Sequence, residues 1–120
     1  MKKRNLIKRY VEGWKRGSGE IILDTVTPDC IIVESDGSVY RGSQAIAHWI
    51  KNWKQERNMV AVWDIAAYYE MSDTAFFEWT FACVAKGRHY QFNGMSIVKF
   101  EKDKISYLRE YKTTKSLHEI

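Results

Sequence analysis

Four stretches decide the fold: MVAVWDIAAYYE (59–70), TAFFEWTFACVAK (74–86), HYQFNGMSIVKFE (89–101) and KISYLREYKT (104–113). Each is rich in β-branched and aromatic residues, and in each the apolar positions recur with a period of two, the mark of a strand. Ser72-Asp73, Lys86-Gly87-Arg88 and Lys102-Asp103 separate them. Connections this short join only antiparallel neighbours, because a parallel partner needs a long crossover. The second half of the chain therefore reads as a four-strand antiparallel meander.

Before residue 59 the apolar spacing is helical. Leu6, Ile7, Tyr10, Val11 and Trp14 make one face of a first helix, and basic residues occupy the other. Gly17-Ser18-Gly19 ends it, and Ser18 is placed to cap a short second helix through Ile21, Ile22 and Leu23. Pro28-Asp29 breaks the chain before a strand, Cys30-Ile31-Ile32-Val33-Glu34. Ser35-Asp36-Gly37-Ser38 is a turn by composition. A third helix is expected to start at Ser43 as N-cap and to carry the stripe Ala45, Ile46, Trp49, Ile50 and Trp53. Helices followed by a meander predict an α+β domain with the helices on one face of an antiparallel sheet.

The chain has 120 residues, enough for one domain and too few for two. We expect a single domain over 1–120, with a core at about 5–113 and a tail at 114–120. With 45% hydrophobic and 28% charged residues and a single proline, the composition excludes disordered, collagen-like and disulfide-scaffold chains. Aromatic residues reach 14%, which points to a tightly packed core or a cavity for an organic ligand. The net charge of +4 is local. Residues 1–16 carry +6 and the rest of the chain sums to −2. That pattern fits a solvated helix face better than a nucleic-acid surface, so no nucleic acid is expected as partner. No apolar run approaches a membrane span, and the basic N-terminus lacks the apolar stretch of a signal peptide, so a cytoplasmic protein without membrane contact is expected. Cys30 and Cys83 read as buried hydrophobes.

Glycine-loop nucleotide motifs, nucleophile elbows and metalloprotease helices are absent from the sequence. His48, His89 and His118 have no ligand spacing, so neither a metal nor a cofactor is expected. Two carboxylates stand among apolar residues and are candidates for acid–base work: Glu34 at the end of its strand, and Glu78 within FFEWTF. Alternation places Glu78 opposite Phe77, Trp79 and Phe81, on the solvated face. Arg109 and Tyr111 share one face of the last strand, where an arginine can orient an anionic or carbonyl ligand. A single bulge would exchange them for Leu108 and Glu110.

The order of these elements resembles the nuclear transport factor 2-like superfamily, which includes SnoaL-like polyketide cyclases and ketosteroid isomerases. The resemblance spans about residues 5–113. It is carried by Tyr10 to Gly17, Thr27-Pro-Asp-Cys-Ile-Ile-Val-Glu34, Tyr40-Arg-Gly-Ser-Gln-Ala-Ile46, Glu78-Trp79, Asn93-Gly94, Phe100-Glu-Lys-Asp-Lys-Ile105 and Arg109-Glu-Tyr111. It implies a cone-shaped curved antiparallel sheet wrapped around N-terminal helices, a cystatin-like architecture with a ligand cavity at its open end and a homodimer formed through the sheet. By the same resemblance, Tyr10 stands where the isomerases keep an oxyanion donor, Glu34 where they keep the general base, and Ser96 where they keep a protonated aspartate. A serine donates a weaker hydrogen bond than a buried carboxylic acid. Thr113 stands near the acid–base aspartate of the cyclases.

Three functions compete on this reading. The first is a small-molecule-binding protein with an apolar, aromatic-lined pocket, taking an apolar or carbonyl-containing ligand between Trp14, Trp49, Trp53, Trp79, Phe81, Arg109 and Tyr111. The second is an isomerase, hydratase or cyclase-type enzyme acting on a carbonyl compound, with Glu34 as base, Tyr10 as oxyanion donor and Ser96 or Arg109 assisting. The third is a protein-interaction module using the basic first helix. A cavity of about 300 Å³ or more shared by Tyr10 and Glu34 is what the enzyme reading calls for.

Overall fold

The computed structural model describes residues 2–120. Helix α1 spans Lys3–Arg16 and buries Leu6, Ile7, Tyr10, Val11 and Trp14, the stripe expected from the sequence. It ends at Gly17, whose φ of 65° is a left-handed conformation that glycine adopts without strain. Helix α2, Gly19–Asp24, is capped by the Ser18 hydroxyl, which accepts from the Ile21 N–H at 3.2 Å. Helix α3 spans Ser43–Gln55. Its N-cap is Gly42 and not Ser43, which is the first helical residue. The bond from the Gly42 N–H to the Cys30 carbonyl ties the cap to the preceding strand, and its φ of 89° selects glycine over serine.

Six strands follow the chain order: β1 Val26–Val33, β2 Val39–Arg41, β3 Met59–Met71, β4 Thr74–Ala85, β5 Arg88–Glu101 and β6 Lys104–Lys112. They form one curved sheet in the order β2-β1-β6-β5-β4-β3. The four-strand meander is as expected within a residue or two at each end. Three features differ. Strand β2 is too short to show a period. Strand β1 pairs with β6 in parallel, so the sheet is mixed and not antiparallel throughout. Pro28-Asp29 does not precede β1 but lies inside it, at the register shift between Val26 and Ile31 where ladder bonds are interrupted. A proline is tolerated there because no N–H is required of it.

The sheet curls over α1 and α3. The core joins Ile7, Tyr10 and Trp14 of α1 to Ile22, Ile32, Ile46, Trp63, Phe77, Trp79, Val98 and Leu108. The basic start of α1 rests on sheet aromatics, with Lys3 over Phe100 and Arg4 over Tyr68. Arg9 pairs with Asp24 at 3.3 Å and Arg16 with Glu12 at 2.9 Å. Much of the basic face is thus spent within the chain, while Lys2, Lys8 and Lys15 stay exposed. On the convex side of the sheet, Val62, Tyr69, Met71 and Tyr111 are exposed. No helix among the described residues is long and apolar enough to cross a membrane.

Trp79 lies across Gly94, its cross-strand partner, and a methyl group there would overlap the Trp79 ring and the Tyr111 carbonyl oxygen. Gly94→Ala is expected to destabilise the fold by about 1–3 kcal/mol, the usual range for overpacking, measured by urea denaturation. A variant as stable as the parent would show that the ring shifts freely.

Candidate functional site

Every major element contributes to one cavity of about 150 Å³ at the open end of the cone. Helix α1 supplies Tyr10 and Trp14, and α3 supplies Trp49 and Trp53. Strands β3, β4 and β5 bring Val60 and Trp63, Phe81 and Cys83, and Phe92. Trp63, Phe81 and Phe92 face one another across three strands in register, with ring centroids 5.5 and 5.2 Å apart. Trp14 packs on Trp49 at 4.6 Å and against Trp53 at 6.1 Å. Glu34 and Glu110 are the charged residues of the lining, with Tyr10 among its rings, and among the described residues no Lys, Arg or His lines the cavity.

The parallel pairing of β1 and β6 brings the two carboxylates together. Val33 is in register with Arg109, so the next residues, Glu34 and Glu110, emerge side by side at the cavity. The Glu34 carboxylate accepts a 2.8 Å hydrogen bond from the Tyr40 hydroxyl. Tyr40 is held flat against Trp49, 4.1 Å between centroids and 7° between planes. Burial raises the Glu34 pKa above the ordinary carboxylate value, against the lowering effect of the Tyr40 bond. Burial pushes Glu110 further, up to about 8, with the charges of Glu34 and then Asp36 adding to it. Part of Glu110 still reaches solvent. Of the two, Glu34 is thus the more readily ionised and Glu110 keeps its proton to higher pH.

Tyr10 is 1% exposed. Burial raises its pKa well above the phenol value, with Glu110 the next cause, so it remains a neutral hydrogen-bond donor. The neighbouring Trp14 indole works in the opposite direction. Cys30 is buried, its thiol pushed up to about 12, and Cys83 is raised as well. Both thiols are unreactive in this state.

The residues expected from the sequence divide into three groups. Tyr10, Glu34, Trp14, Trp49, Trp53 and Phe81 line the shared cavity. Ser96 and Trp79 are buried together beside it, where the Trp79 indole N–H donates to the Ser96 hydroxyl at 2.9 Å. Ser96 stands directly opposite Glu110 on the neighbouring strand but does not line the cavity, so its hydroxyl serves the core. Arg109 and Tyr111 point outward, with the guanidinium 4.9 Å from the Tyr111 ring centroid. The cause is a register shift at Lys99/Phe100, where Ser106 is the extra residue on β6. It turns Leu108 and Glu110 inward in their place. Glu78 is exposed, as alternation required. The sequence reading named Glu110 only as a residue that a bulge would turn inward, and missed Trp63 and Tyr40 as site residues. Trp63 carried a usable signal, since period-two spacing from Ile65 puts it on the inner face of β3.

Two measurements check this assignment. Ser96→Ala leaves the Trp79 N–H unpaired and is expected to cost about 1–3 kcal/mol of stability without altering ligand affinity. The pH dependence isolates Glu110. Between the ordinary glutamate range and about 8, the folded chain holds a proton that the unfolded chain releases. Stability is therefore highest at acid pH and falls as pH rises through that window. Glu110→Gln is expected to flatten the fall toward pH 8, read from urea midpoints across the window; an unchanged slope would place the titration elsewhere.

Comparisons with known proteins agree with this architecture. No functionally curated protein matches the chain by sequence. Among solved structures, an LEH-like epoxide hydrolase from M. tuberculosis superposes with a TM-score of 0.81 at 15% identity, over 91% of this chain and 80% of that one. A protein of ketosteroid isomerase-like fold from Catenulispora acidiphila, in complex with trimethylamine, gives 0.77 at 15% identity over 91% and 85%. An NTF2-like protein of unknown function from Burkholderia pseudomallei gives 0.77 at 15% over 92% and 90%. At these identities the likeness is one of fold. The sequence pattern of the SnoaL-like domain matches residues 7–108, and the chain belongs to that family, within the nuclear transport factor 2-like superfamily.

Proposed function

We propose that this chain binds a compact organic molecule in the mouth of the cone and moves a proton on it, with Glu34 as base, Glu110 as acid and Tyr10 as a further donor. The observation that carries this reading is the carboxylate pair: two acids side by side, surrounded by aromatic rings, with no basic residue in the lining. Such a pair separates into a proton acceptor and a proton donor near neutral pH. A cavity of about 150 Å³ limits the enclosed part of the ligand to roughly the size of benzene. That is about half the 300 Å³ that the enzyme reading called for, so the carboxylate pair and not the size of the cavity supports that reading.

For a small ketone the steps balance. Glu34 takes a proton from the carbon next to the carbonyl, and the C–H electrons form the C=C bond. The carbonyl oxygen takes the Glu110 proton, with Tyr10 donating to it, and an enol results. Return of the Glu34 proton to the same carbon, with return of the enol proton to Glu110, regenerates the ketone with its hydrogen exchanged; where a C=C bond adjoins the enol, return to the far carbon of the dienol gives the isomer.

The test is exchange of the α-hydrogens of small cyclic ketones in deuterated water, followed by NMR. The wild-type chain is expected to accelerate exchange, and Glu34→Gln to reduce it by about 100-fold or more. The rate is expected to rise as Glu34 loses its proton and to fall as Glu110 loses its own near 8. Glu110→Gln is expected to lower the rate and remove the alkaline limb. Binding without exchange would leave a ligand-binding protein, the first of the three readings above.

A second reading is supported by the same lining. Seven aromatic residues with two carboxylates also suit a small ammonium ion, and the relative from Catenulispora acidiphila was solved with trimethylamine. The pH dependence separates the two: a cation binds more tightly as Glu110 ionises, a neutral carbonyl compound less tightly. The exposed Val62, Tyr69, Met71 and Tyr111 support a homodimer through the convex face of the sheet.

A further inference from the structure

The Glu34 side chain is held by a residue that stands outside the cavity. Glu34 belongs to the lining, whereas Tyr40, whose hydroxyl donates to Glu34 Oε1 at 2.8 Å, does not. Tyr40 is the only hydrogen-bond partner of that carboxylate among the described residues, so Oε2 is left without one. The bond has the ordinary O–H···O length. Burial, and then the bond to Glu34 itself, raise the Tyr40 pKa above the ordinary phenol value. The hydroxyl therefore keeps its proton throughout the range in which a carboxylate titrates.

The chain around this bond leaves it little freedom. Strand β2 is three residues long and returns along β1 so that Tyr40 stands opposite Ile32. The turn between the strands ties down the Glu34 main chain: its N–H donates to the Ser38 carbonyl and its carbonyl accepts from the Gly37 N–H, both at 2.9 Å. The Tyr40 ring lies flat on Trp49, and Trp49 packs on the buried Trp14. A tyrosine has only two side-chain torsions, so such a stack restrains it at low entropic cost. Packing on Trp49 would be served as well by phenylalanine. The hydroxyl has its use at Glu34.

We infer that Tyr40 is a positioning residue for the base: by occupying Oε1 of Glu34 it leaves Oε2 to take the proton of the ligand, in an orientation set before the ligand binds. This rests on the function proposed above and adds to it a residue that does not touch the ligand. A carboxylate free to rotate offers either oxygen in many orientations, and fixing it removes that search from the proton-transfer step. The bond also favours the ionised, proton-accepting form of Glu34, against burial and the charge of Asp36 in the turn. The other titratable groups coupled to Glu34, Glu110 on β6 and Tyr10 on α1, bring no positive charge, and α3 contributes only the rings of Trp49 and Trp53 to the lining.

The experiment uses Tyr40→Phe, which keeps a ring on Trp49 and removes the hydroxyl alone. Exchange of the α-hydrogens of cyclohexanone in deuterated water is followed against ketone concentration and pH. The variant is expected to lower kcat about tenfold, the equivalent of one hydrogen bond, with KM within about twofold. Its acid limb is expected to move to higher pH, because Glu34 loses the bond that favours its ionised form. An unchanged kcat and acid limb, or a change confined to KM, overturns the inference. In the unmutated chain, the Tyr40 Cζ resonance is expected to titrate with the midpoint of the Glu34 carboxyl carbon. A Tyr40 resonance that ignores that titration overturns the inference even if the variant fails to fold. Absence of exchange in the wild type overturns the function proposed above. The Glu34 midpoint then decides for Tyr40: a higher midpoint in Tyr40→Phe shows that the hydroxyl sets the carboxylate, and an equal one overturns that as well.

Discussion

The parallel pairing of β1 with β6 is the contact on which the site depends. It joins a strand from the first third of the chain to the last one, with α3 and the other four strands lying between them in sequence. Without it the meander would be an open sheet with β6 as an unprotected edge. With it the sheet closes over α1 and α3, and the ends of the two strands carry Glu34 and Glu110 to the same point. Two carboxylates without a cation beside them destabilise the folded state at neutral pH. A fold that keeps them so uses part of its packing energy to hold them there.

Aromatic side chains supply that packing. Trp63, Trp79, Phe81 and Phe92 meet largely edge to face or tilted, which favours the ring quadrupoles and buries large area at modest entropic cost. The same rings set the limits of the cavity. Because four tryptophans border it, the space left is small. Tyr40 links packing to chemistry: its ring is clamped on Trp49 and its hydroxyl fixes the Glu34 carboxylate. A carboxylate held in this way is oriented before a ligand arrives.

The helices and the meander were legible because each element buries one face. Period 3.6 in Leu6, Ile7, Tyr10, Val11 and Trp14, and period two after residue 59, are direct consequences of that burial. Tyr10, Glu34 and four of the ring residues were legible for the same reason, since the inner face of an element follows from its own pattern. Glu110 was not. It lies beyond a bulge at Ser106, and one extra residue reverses which side chains look inward. Residue type alone carries no mark of such a bulge. Ser96 was assigned to the site by analogy of position, but a neighbouring indole, set by the tertiary packing of Trp79 over Gly94, takes its hydroxyl.

What the sequence by itself determined is the set of elements, their order and the buried face of each regular one, because hydrophobic periodicity acts over a few residues at a time. What only the tertiary structure decided is which charged and polar groups share the cavity. That depends on a parallel register between strands about 75 residues apart and on a local bulge. Both are settled by the total packing of the cone rather than by any one segment, and so the partner of Glu34 was found across the sheet and not along the chain.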